Sequence, residues 1–213
     1  MPPKVVVLVA GGQAAGKKSV CKAITERLVE WKVTDVRTIS LSQFKIADLT
    51  DKGLNPEGPD AFDFSQALTA VLAQHNEVLI VEGLYALYEA TSEAKALRDI
   101  GNIRIYVDLD ADVRLSRRIN RDTQDRGIPL KDVLDDYVKF GKPAMESYIR
   151  TTKPTADVVL MRGSEPSGIE LIAGAIYDHL LAISENIYTP AWAGGHTGRL
   201  LDDDMMDSFY ELA

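Results

Sequence analysis

The chain has 213 residues, 46% of them hydrophobic and 26% charged, enough for one domain with its own core and too few for two domains of ordinary size. Twenty-four Lys and Arg against 32 Asp and Glu leave a formal net charge of −8, a field that repels polyanions and argues against extended nucleic-acid binding. The one cysteine, Cys21, offers neither an intrachain disulfide nor a zinc cluster, and the apolar run near the N-terminus is too short for a signal peptide or a membrane span, so a cytoplasmic or nuclear protein with no membrane partner is expected.

Val5 to Ala10 is a continuous, mostly β-branched run closed by Gly11-Gly12, the pattern of a strand buried on both faces of a parallel sheet. From Lys17 to Trp31, the residues Val20, Ala23, Ile24, Leu28 and Trp31 recur at helical spacing, so strand, glycine-rich turn and helix follow in order. Cys21 on that helix reads as a small packed thiol. Val36 to Ser40 predicts a second strand, and residues 41–59, with two glycines and two prolines, predict a loop. A helix through Phe64, Leu68, Val71 and Leu72 leads to a third strand, Val78 to Val81, which ends at Glu82-Gly83. Ser92 to Asp99 predicts a helix, Ile103 to Val107 a fourth strand, Ala111 to Arg126 an arginine-rich helix and Leu130 to Tyr148 another. Val158 to Leu160 predicts a fifth strand and Ile169 to Ile183 a last helix.

Strands alternating with helices argue for one α/β domain over residues 1–183. Its five-stranded parallel sheet is doubly wound and flanked by helices, with ligands beyond the carboxyl ends of the strands. Residues 11–19, residues 40–44 and Glu82-Gly83 fall at such ends. The histidines, His75, His179 and His196, are scattered without the spacing of metal ligands. In the tail, residues 184–213, Pro190 and Gly194-Gly195 break the preceding helix, and Leu201, Met205, Phe209 and Leu212 then recur at helical spacing beside Asp202 to Asp204. That pattern predicts a short amphipathic helix that docks on the parent domain or on a second subunit.

Gly11-Gly12-Gln13-Ala14-Ala15-Gly16-Lys17 fits the first seven places of the phosphate-loop pattern. In that pattern backbone N–H groups at a helix N-terminus wrap a polyphosphate and the lysine reaches its outer phosphates. The preceding strand and following helix separate the match from a mere glycine turn. At the eighth place, where Ser or Thr would ligate Mg²⁺, stands Lys18, with Ser19 behind it. At about 4 Å and an effective dielectric of about 20, an ammonium and a divalent cation repel by roughly 8 kcal/mol. Either Lys18 swings away from the metal position, or its charge partly replaces the cation, or it points to solvent; Ser19 can still donate to a phosphate oxygen. ATP or ADP is the expected ligand, bound with little call for Mg²⁺.

Beyond this loop the chain resembles the uridine/cytidine kinases, a family of P-loop nucleoside kinases, from Val5 to about Leu181. The most specific stretch runs from Val107-Asp108-Leu109-Asp110-Ala111-Asp112-Val113-Arg114 through Arg117-Arg118 and Arg121-Asp122 to Asp125-Arg126-Gly127. Tyr137 to Ala144, Lys153 to Gly163, Pro59-Asp60-Ala61-Phe62-Asp63 and Glu82-Gly83 carry the same likeness. The resemblance implies a lid over residues 114–128, with Arg118, Arg121 and Arg126 closing on phosphate oxygens as catalytic partners of Lys17. It implies Glu82 as the acidic residue beside the metal, and Glu57, Asp60, Phe62 and Arg118 as the acceptor side, with Glu57 standing where the family has a ribose-binding aspartate.

The same resemblance marks departures. Anchoring on Phe44 puts Ser42 where the family's general base is an aspartate; Asp48 is the nearest carboxylate downstream. The family's base-binding hairpin is reduced to His75-Asn76-Glu77, and two further nucleoside contacts correspond to Ile128 and Asp136. Three readings follow. The chain is a nucleotide-binding relative with little or no uridine kinase activity, an active ATP-dependent kinase of another small hydroxyl substrate, or a non-enzymatic assembly partner. By resemblance, its partners are a nucleotide and either a second copy or an active homologue.

Overall fold

The structure, a computed structural model, describes residues 3–46 and 55–184. The first strand, β1 (Val5–Gly11), is buried at every position because it sits mid-sheet and helices cover both faces. It pairs in parallel with β3 (Val78–Glu82) on one side and β4 (Ile103–Val107) on the other. Outside these lie β2 (Val36–Ser40) beside β3 and β5 (Val158–Leu160) beside β4, giving the order β2-β3-β1-β4-β5.

Alternate side chains of β1 enter two separate cores, as the period of a strand requires. Val5, Val7 and Val9 pack with Val20, Ile24 and Leu28 of α1 (Lys17–Glu30) and with Ile172 and Ile176 of α7 (Pro166–Ser184). Val6, Leu8 and Ala10 pack with Phe64 and Val71 of α2 (Phe64–Leu72) and with Leu97 of α3 (Ser92–Asp99). Helix starts follow local chemistry: Asp63 accepts from the Gln66 N–H and Thr91 from the Ala94 N–H. By contrast α1 starts at Gly16 with no side-chain cap, which leaves its first amides open to a ligand.

Two predicted helices differ in the structure. The arginine-rich one is α-helical only as α4 (Ala111–Asn120) and continues as a wider π turn over Arg121–Asp125. That turn holds the Asp122 carboxylate among arginines on both sides of it. The next is broken into α5 (Leu130–Asp136), a π turn Tyr137–Gly141, α6 (Lys142–Ala144) and a second π turn Met145–Ile149. Pro143, which has no N–H to give to the helical ladder, falls between the two π turns. The predicted loop 41–59 contains 3₁₀ turns at Leu41–Phe44 and Pro59–Ala61, with Lys45 and Phe62 bridged as antiparallel neighbours. The last helix opens earlier than expected, at Pro166, a residue suited to a first helical position. Asp48 and the predicted tail helix lie outside the described residues. Among those described, no helix is long and apolar enough to cross a membrane.

Candidate nucleotide and acceptor site

The turn between β1 and α1 is shaped by backbone demands. Gly11 has φ 143°, and a Cβ there would come 2.5 Å from the Val107 carbonyl oxygen. Gly16 has φ 97°, and Ala14 holds φ 57°, a left-handed conformation that a side-chain-bearing residue adopts at some cost. Lys17 folds back over this turn, and its Nζ donates to the carbonyls of Gly11 at 3.0 Å and Gly12 at 2.9 Å. Desolvation lowers its pKa to about 8, against the opposing pull of the Glu82 charge. Lys18 and Ser19 are exposed.

Two adjoining cavities, of about 280 and 320 Å³, meet over the loop and share Lys17, Lys18, Glu82 and Arg121. Ser40, Ser42, Lys45, Phe62 and Arg126 also line the first; Ser19 and Arg117 belong to the second. The β2–β3 register sets Ser40 opposite Glu82, and Ser40 Oγ donates to the buried Glu82 carboxylate. Ser42 Oγ lies 2.8 Å from Ser40 Oγ. Position 42 is thus linked to a carboxylate through one hydroxyl, and carries none itself.

The residues fit nucleotide phosphates: uncapped amides at α1, a lysine and two further guanidinium groups face one space. For a magnesium ion, which one or two protein oxygens hold together with waters and phosphate oxygens, position 18 offers an ammonium in place of a hydroxyl, and Glu82, hydrogen-bonded by Ser40, is a carboxylate facing the same space.

On the acceptor side Arg118 turns away from this space. It grips Glu57 in a two-point pair, Nη2 to Oε1 at 2.7 Å and Nη1 to Oε2 at 3.3 Å, with both residues buried. The remaining pocket, between Gln13, Tyr137 and Gly141, is only about 10 Å³. Arg118 Nε, 3.6 Å from Asp122, has no hydrogen-bond partner. Arg121 binds Asp122 through two bonds of 2.8 and 3.0 Å, and Arg126 reaches it at 3.1 Å. So the three arginines expected to form a lid converge on Asp122, and of the three Arg121 and Arg126 also line the cavity over the loop. Phe62 meets Tyr85 edge-on at 5.2 Å, and Asp60 is exposed and lines none of these cavities. Where the family hairpin would stand, α2 and β3 are joined by a turn held to Asp35 by Asn76 and the Glu77 N–H. Ile128 and Asp136 line none of these cavities.

Sequence reading passed over Arg114, Arg117 and Lys45 as site residues. Arg117 Nη1 would lie 3.6 Å from a Cβ on Gly16, and the signal available was its place one residue before Arg118. Lys45 is set by its bridge to Phe62, a long-range contact that no local pattern encodes.

A family model described as the phosphoribulokinase/uridine kinase family matches residues 60–167. Uridine-cytidine kinase B of Dictyostelium discoideum is 34% identical, over 75% of this chain and 75% of that protein. Uridine-cytidine kinase 2-B of Danio rerio is 32% identical, over 81% and 78%. Uridine kinase-like protein 3 of Arabidopsis thaliana is 33% identical over 82% of this chain, which spans only 43% of that protein. Among solved structures, a Silicibacter protein described as a fructose transport system kinase aligns with TM-score 0.61 at 17% identity, covering 75% of this chain and 90% of its own. That likeness speaks for the fold.

Proposed function

The chain belongs to the phosphoribulokinase/uridine kinase family, and we propose that it binds ATP or ADP at the phosphate loop and phosphorylates uridine and cytidine slowly or not at all. One observation carries the reading: the space over Lys17, bounded by Glu82, Arg121, Ser40 and Ser42, is open, while the Glu57–Arg118 pair fills the acceptor side. Lys17, the α1 amides, Arg121 and Arg126 hold the nucleotide phosphates, and bound ATP supplies the transferable phosphoryl group. Lys18 adds charge where the fold otherwise seats a metal hydroxyl, so nucleotide binding depends little on Mg²⁺. Slow nucleoside turnover follows from the hydroxyl at position 42 and from a Glu57 carboxylate engaged with Arg118; loss of a base costs about 10²- to 10⁴-fold. Self-association, or pairing with an active homologue, belongs to the same proposal, and the protein works away from membranes, in the cytoplasm or nucleus.

Calorimetric titration with ADP, in Mg²⁺ and in EDTA, tests the binding. Binding in both is expected, with Lys17→Met abolishing it; binding that collapses in EDTA would overturn the assignment of Lys18.

A further inference from the structure

The two cavities over the phosphate loop are lined by six cations, Lys17, Lys18, Lys45, Arg117, Arg121 and Arg126, and by one carboxylate, Glu82. Arg121 and Arg126 share Asp122 behind them, and Lys17 is held by backbone carbonyls. Lys18, Lys45 and Arg117 are exposed, and among the described residues none of the three has an ion-pair partner. Apolar groups stand beside them. Phe62 and Leu84, both half-buried, line the first cavity; Ile46, which follows Lys45, is 40% exposed, and its N–H donates to the Ala61 carbonyl at 2.9 Å. A positive cleft with an apolar edge is the reverse of the chain as a whole, whose net charge is −8.

The negative charge is unevenly spread. Residues 185–213, outside the described residues, hold six acidic side chains and one basic, so this tail carries −5 of the −8. Asp202, Asp203, Asp204, Asp207 and Glu211 are interleaved there with Leu201, Met205 and Phe209. At helical spacing Asp204, Asp207 and Glu211 form one stripe and the apolar residues another, so the segment offers the charge and the apolar surface that the cleft lacks. Reach is sufficient. β5 runs parallel to β4 and β1, and α7 opens five residues after it, at the end of the sheet where the phosphate loop lies. The 19 residues of α7 carry the chain about 28 Å, whereas residues 185–200 span up to about 50 Å when extended.

We infer that the acidic tail docks in the cationic cleft of its own chain, its carboxylates against Lys18, Lys45 and Arg117 and its apolar stripe against Ile46, Phe62 and Leu84. A tethered segment meets its own cleft at an effective concentration in the millimolar range, which favours it over the tail of a second copy or a separate acidic partner. The docked tail stands where a polyphosphate goes, so the two compete. The docking rests on charge and reach alone; its effect on ADP rests on the proposed nucleotide site.

Cross-linking of the full chain tests the docking. An equal mixture of isotope-labelled and unlabelled protein is treated with a water-soluble carbodiimide, which joins a carboxylate to an amine as an amide and takes up the water released, and the linked peptides are read by mass spectrometry. Links from residues 202–211 to Lys18 or Lys45, within one isotopic species, are expected, and they should fall about fivefold or more in about 0.5 M NaCl. Tail links mainly to Lys22, Lys32 or Lys131 overturn the inference, as does the absence of tail links. Links only between the two isotopic species overturn it as well and give the cleft to a second copy. Calorimetry reads the competition: a tail docked about four-fifths of the time weakens ADP about fivefold. The full-chain variant carrying Asp202→Asn, Asp203→Asn, Asp204→Asn, Asp207→Asn and Glu211→Gln together should therefore bind ADP about fivefold tighter than wild type at low salt, with the difference lost in about 0.5 M NaCl. Equal affinity at low salt overturns the competition. If neither protein binds ADP, the nucleotide reading fails, and the cross-links still decide the docking.

Discussion

Lys17 is a part-buried ammonium whose described hydrogen-bond partners are backbone carbonyls, so its protonation depends on pH in a range where surface lysines do not titrate. Its pKa, lowered to about 8 by desolvation, means that at pH 9 about nine-tenths of free protein has a neutral Lys17. Phosphate binding requires the charged form. ADP affinity should therefore fall about tenfold between pH 7 and pH 9, with proton uptake on binding near pH 8, read by calorimetry in buffers of different ionisation enthalpy. Equal affinity at both pH values would contradict the arrangement. Gly141 makes a second prediction at this scale. Its φ of −68° is helical, so no backbone demand selects glycine; space does. A Cβ there would meet Arg118 Nη1 at 2.6 Å and Glu57 Oε2 at 2.9 Å. Alanine gains about 1 kcal/mol of helix propensity, yet forcing a methyl against a buried ion pair costs about 1–3 kcal/mol. Gly141→Ala is expected to lower the melting temperature and to leave ADP binding intact.

At the scale of elements, the π turn after α4 is organised by one carboxylate. Burial pushes the Asp122 carboxyl up, and the Arg121 hydrogen bond with the charges of Arg121, Arg126 and Arg118 more than reverses this, so it stays below the usual range. Removing it leaves Arg118 its pair with Glu57 but takes the two hydrogen bonds from Arg121 and frees Arg126. Asp122→Ala should destabilise by about 1.5–3 kcal/mol, whereas Arg126→Ala, with its side chain 57% exposed, should cost no more than about 1 kcal/mol. Denaturant titration of both variants checks the contrast. Equal losses would mean that the exposed arm of the cluster matters as much as the buried one. The helix boundary at Asn120 was not legible in sequence, because Arg121 to Arg126 continues a helical pattern; the switch to a π turn accompanies contacts of Asp122 with arginines on both sides of it.

For the whole molecule, two cores pack against the two faces of the sheet, and the proposed function turns on the spaces at the strand ends. Uridine phosphorylation, followed by a coupled assay, is expected far below the 1–100 s⁻¹ usual for kinases; the double variant Lys18→Thr with Ser42→Asp is expected to raise it. A wild-type rate in that range would overturn the proposed function. Sequence alone determined the strands, the parallel α/β architecture, the phosphate loop and the family, because these depend on short-range periodicity and on motifs contiguous in the chain. Val36–Ser40, Ser92–Asp99, Ile103–Val107 and Val158–Leu160 are the observed elements to the residue. Only the tertiary structure decided that Glu57, 61 positions away, ties up Arg118 and that Ser40 links Ser42 to Glu82. Each depends on which side chains three-dimensional packing brings within a few ångströms, and on whether a charge finds its partner before it loses its water.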